Sequence, residues 1–153
     1  MAKTLTQLRA LGKYCAYGPE YDATAQDGLE LSPARLLFIA FFFLAILPSL
    51  GWGLAASWGG AMVGVELYLR SVLKRQIVAG TRTIRLCRII GSLAASAGWV
   101  GVAAACWVNP DHNMRLAALS VWTGMFLYAQ ASCSKCPAHF ILTGVPPVLA
   151  VIV

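Results

Sequence analysis

Cys133 and Cys136 stand at Cys-x-x-Cys spacing, with His139 three positions further on, in a chain with five cysteines and two histidines. A dithiol of this spacing can cycle to a disulfide, and thiolates beside an imidazole can hold a metal ion. Structural zinc is usually held by about four nitrogen or sulfur donors, and Cys133, Cys136 and His139 supply one fewer. Attachment of a c-type haem calls for histidine directly after the second cysteine, where this chain has Pro137. The plainer reading is structural: Ser134 or Cys136 ends one turn, Pro137 opens the next helix, and Lys135 and His139 sit at headgroup level. Thiols facing the cytoplasm are held reduced, which leaves a dithiol or a metal as the functional alternatives.

A second candidate is Glu66, the one acid inside a predicted apolar crossing. Ionisable groups are costly in a bilayer and tend to be paired or functional. Arg70 lies four residues later on the same helical face, so an interfacial Glu66–Arg70 ion pair is expected, with a ligand or proton role as the alternative.

The composition sets the medium in which these groups work. Of the 153 residues, 59% are hydrophobic and 12% charged, whereas soluble domains carry about 25% charged residues. Twelve basic residues oppose six acidic ones. No basic run is interleaved with stacking aromatics, so the lipid bilayer is the expected partner, not nucleic acid. No cofactor is implied. The first long apolar run begins at Leu36, after acidic residues, which is unlike a cleavable signal peptide.

The elements follow from periodicity and from proline and glycine. An all-α fold is expected: a polytopic transmembrane bundle of about five helices preceded by an N-terminal amphipathic helix. Residues 1–31 comprise that helix, with Leu5, Leu8 and Leu11 opposite Lys3, Arg9 and Lys13, and a polar connector from Pro19 onward. Residues 32–153 form the membrane domain, with helices at about 33–50, 53–73, 89–108, 113–132 and 137–153. Ser32-Pro33 reads as a capped helix start. The apolar stretch that follows is too long for one crossing and is expected to fold back at Pro48–Gly53. Trp58 and Trp99 are expected in the interior and the other tryptophans at the interfaces. Gly91, Ala95 and Gly98 offer a close-packing face on the third helix, and Gly60-x-x-x-Gly64 is expected to pack within the chain. Pro146 and Pro147 are expected to bend the fifth helix, leaving a polar pocket near Thr143.

Residues 70–88 hold six basic residues and no acid. The positive-inside rule places that loop, the N-terminus and the cysteine pair in the cytoplasm, and residues 109–114 outside.

In this order, "YCAYGPEYDATAQDGLELSPARLLFIA", a hairpin ending in Glu66 and Arg70, an arginine-rich stretch, and "RLAALSVWTGMFLYAQASCSKCPAHFILTGVPPVLAVI", the chain resembles the N-terminal membrane region of proteobacterial sensor histidine kinases. The resemblance spans nearly the whole chain and is one of layout and short phrases. It implies an input or anchoring domain of a signal-transducing kinase in a bacterial inner membrane, without catalysis of its own, acting as a homodimer or with partner membrane subunits. No phosphoacceptor-histidine motif or ATP-lid sequence is present, so no catalytic residue is carried over. Five crossings would leave the C-terminus outside, so a sixth helix and the kinase domains are expected beyond Val153. Two other readings stay open: a small structural subunit of a membrane complex, and a thiol or metal-ion protein using Cys133 and Cys136.

Overall fold

The computed structural model describes residues 19–133, and every element in that span is α-helical: α1 (Pro19–Glu30), α2 (Ser32–Val78), α3 (Arg82–Trp107) and α4 (His112–Cys133). Two of them, α2 and α3, are long and apolar enough to cross a membrane, against the five crossings expected. The shortfall has local causes. The first two expected helices are one element, α2, and α4 carries Asn113, Arg115 and several hydroxyl and amide groups that dilute its apolar character. The fifth expected helix lies outside the described residues.

The α2 helix is a hairpin. A straight helix would hold Arg35 and Glu66 about 46 Å apart at about 1.5 Å per residue, yet their side chains bond at 2.9 Å. The reversal is at Gly51, whose φ of 75° and ψ of 165° lie in a region that a side chain disfavours. Pro48, one turn earlier, removes an amide and weakens the helix just before the break. Contacts then step away from the turn in antiparallel register. Phe42 stacks edge-on against Trp58, an added Cβ at Gly59 would lie 3.0 Å from Phe43, and Arg35 meets Glu66.

Residues 19–31, expected as a polar connector, form α1 instead. The helix needs no apolar periodicity of its own, because its polar side chains find partners on α2 and α3. Asp22 binds Gln76 and Arg85, and Thr24 binds Arg88. Gly28 lets α1 approach Leu73 closely, since a Cβ there would meet the leucine at 3.3 Å. Ser32 does not cap α2. Leu31 holds the cap position in helical conformation, its amide bonds to Asp27 O, and the Ser32 hydroxyl is buried without a partner among the described residues.

The expected basic loop at 70–88 is also mostly helix. The second arm of α2 runs to Val78, and α3 begins at Arg82 with the Thr81 hydroxyl accepting from the Ile84 amide. Only a short connection remains, so the basic residues are fixed on helix surfaces. Against this hairpin α3 packs antiparallel, and Val102, Ala103 and Cys106 of α3 meet Met114, Ala118, Val121 and Trp122 of α4 in a common core with Phe42, Ile46 and Ala55.

Candidate functional site

The fold-back places Arg35, from the second turn of α2, beside Glu66 on the opposite arm. Its Nε donates to one carboxylate oxygen and its Nη2 to the other, both at 2.9 Å, and Nη2 also donates to the Gly28 carbonyl at 2.8 Å. A planar guanidinium suits this task, because its fork matches both oxygens of a carboxylate while a further N–H stays available. The Glu66 side chain is 5% exposed and that of Arg35 28%. The expected partner, Arg70, is on the exposed side of the arm. Glu66 turns inward, where only a residue from the facing arm can approach both oxygens. Arg35 and Glu66 are nearly equidistant in sequence from Gly51, a symmetry that would have revealed the pair.

A second polar layer lies where α1 meets the joint between α2 and α3. Asp22 accepts from Gln76 at 2.7 Å and from Arg85 through both carboxylate oxygens. Burial pushes the Asp22 carboxyl up, but the hydrogen bonds from Arg85 and Gln76 and the charges of Arg85 and Arg88 outweigh it, so it sits below its ordinary value of 3.8. Arg88 is 4% exposed and donates to the Thr24 hydroxyl at 2.9 Å. These residues carry no apolar periodicity, and sequence reading passed over Asp22, Thr24 and Gln76.

A cavity of about 630 Å³, lined by all four helices, takes in Arg35 and Glu66 of the first layer and Thr24 and Arg88 of the second. Arg35, Glu66, Arg88, Ser92, Ser96 and Tyr128 give it polar positions, and Phe38, Ile39, Met62, Leu69, Trp99 and Met125 give it apolar walls. Volume and lining are those of a small-molecule pocket, mostly apolar with a few convergent polar groups. Trp99 stands in an aromatic cluster with Phe38, Phe42 and Trp58 at ring separations of 5.1 to 5.6 Å. Trp58 is fixed by donating Nε1–H to the Gly98 carbonyl at 2.9 Å. Gly98 makes this possible by admitting Met62 where a side chain would stand.

The other sequence candidates separate. Gly91 and Gly98 do pack, against Leu69 and Met62, and among the described residues a Cβ at Gly60 or Gly64 would meet nothing within 4 Å. Trp122, expected at an interface, is 6% exposed, whereas Trp52 is 71% exposed. Cys136, His139, Thr143, Pro146 and Pro147 lie outside the described residues, as does the side chain of Cys133. Among the described residues no group of three His, Cys, Asp or Glu is placed to hold a metal ion. Comparison of the chain with protein-family models, curated proteins and solved structures gave no match.

Proposed function

We propose that this chain is a membrane-embedded input and anchoring module of a signal-transducing histidine kinase, with the cavity as its sensory site. The observation that carries the reading is that one cavity touches α1, both arms of α2, α3 and α4, and that its Arg35–Glu66 pair is bonded to the α1 backbone at Gly28. A molecule entering it changes the environment of an ion pair that ties the hairpin to the N-terminal helix. Occupancy is thereby converted into a shift of one helix against the others. In this reading each arm of α2 crosses the bilayer separately, and the basic joint between α2 and α3 faces the cytoplasm.

The test has two parts. The reading frame containing this chain is expected to encode phosphoacceptor and ATP-binding domains, and its product to autophosphorylate in membrane vesicles. Gly124→Leu grows into the cavity from a position where an added Cβ meets no neighbour within 4 Å among the described residues, and it is expected to change that rate while the helical spectrum is retained. A frame without kinase domains overturns the kinase assignment, and a rate indifferent to filling the cavity overturns the sensory one.

A further inference from the structure

Five of the six basic residues of 70–88 divide into two populations. Arg85 and Arg88 turn inward onto Asp22, Gln76 and Thr24. Arg70, Lys74 and Arg75 point outward. All three are exposed, and among the described residues none of them has a hydrogen bond or ion pair. With Leu67 and Ser71 they recur at intervals of three and four, so they form one stripe along the second arm of α2 and line a common groove. On the apolar side the stripe continues into exposed Leu67 and Val63, which are 52% and 39% accessible.

We propose that Arg70, Lys74 and Arg75 bind the phosphate of an anionic phospholipid from the leaflet they face, a site that rests on the membrane-embedded reading above. A phosphodiester accepts hydrogen bonds from guanidinium and ammonium groups together, and the Ser71 hydroxyl lies among them as a further donor. The apolar continuation selects the source. A free phosphate has no use for Leu67 and Val63, whereas a lipid lays its acyl chain along them. The internal acids do not compete, since Asp22 is held by Arg85 and Glu66 by Arg35. Each basic residue near an anionic surface strengthens binding roughly fivefold, from about 1 kcal/mol apiece.

The chain is reconstituted in nanodiscs of phosphatidylcholine containing a graded share of phosphatidylglycerol, and retained lipid is counted by native mass spectrometry. Preferential retention of phosphatidylglycerol is expected. It should fall roughly fivefold in Lys74→Gln, be lost in Arg70→Gln/Lys74→Gln/Arg75→Gln, and persist in Arg115→Gln at the other end of the bundle. Inorganic phosphate at millimolar concentration is expected not to displace it. Equal retention of both lipids, an unchanged preference in the triple variant, or displacement by inorganic phosphate overturns the proposal. So does a lipid-independent disulfide dimer of Ser71→Cys, which would assign the stripe to a second copy of the chain. A chain that stays soluble without lipid or detergent overturns the membrane reading itself. One that inserts but shows no lipid preference overturns only this site.

Discussion

Arg35 and Glu66, 31 positions apart, form a two-pronged ion pair across the α2 hairpin, and the same guanidinium holds the last turn of α1 through the Gly28 carbonyl. One side chain therefore fixes three segments. Removing one partner of a largely buried pair leaves the other charge uncompensated, at about 3–5 kcal/mol. Glu66→Gln is expected at the low end, about 3 kcal/mol, because Arg35 is 28% exposed and can turn toward water. Arg35→Met/Glu66→Leu is expected to recover most of that loss. Thermal denaturation in detergent measures both, and a double variant as unstable as the single one contradicts this account.

The glycines give a contrast within one bundle. A Cβ at Gly91 would lie 2.6 Å from Leu69 Cδ2 and 3.1 Å from Tyr68 Cε1, whereas at Gly60 and Gly64 it meets nothing within 4 Å among the described residues. Gly91→Ala is expected to destabilise by about 1–2 kcal/mol through overpacking. Gly60→Ala and Gly64→Ala are expected to be neutral or to stabilise by up to about 1 kcal/mol through helix propensity. Melting temperatures of the three variants in one detergent decide it.

At Gly51 the constraint is conformational, since among the described residues nothing lies within 4 Å of an added Cβ while φ is +75°. Gly51→Ala is expected to cost about 1–3 kcal/mol. The distance between spin labels at positions 37 and 67 would report whether the arms still close. A variant with unchanged stability and unchanged distance would show that the turn tolerates a side chain.

The Asp22 carboxyl is held below 3.8 in the folded chain by Arg85, Gln76 and Arg88 acting against burial. Its folded value is depressed relative to the unfolded one, so its contribution is complete above pH 3.8 and is lost as pH falls through the lower folded value. Docking of α1 is expected to loosen in that acid window. Asp22→Asn is expected to remove this part of the pH dependence and to weaken docking already at neutral pH. Amide exchange over α1, measured between neutral and acid pH, reads both effects.

The helical class, the break near Pro48–Gly53 and the interior position of Trp58 and Trp99 were legible in the sequence. Each follows from local chemistry: apolar runs of helical length, a proline followed by glycines, and aromatic rings far from any charged residue. The α1 helix was not legible, because its polar residues gain helical support from partners on α2 and α3 and show no amphipathic stripe. Nor was the partner of Glu66, since i,i+4 spacing points to Arg70 on the same arm while the hairpin brings Arg35 from the other. The six basic residues of 70–88 read as one charge run along the chain. Only the tertiary structure could divide them, because whether a cation turns inward or outward depends on which side of its helix meets α1, and that contact joins residues separated by 54 to 64 positions.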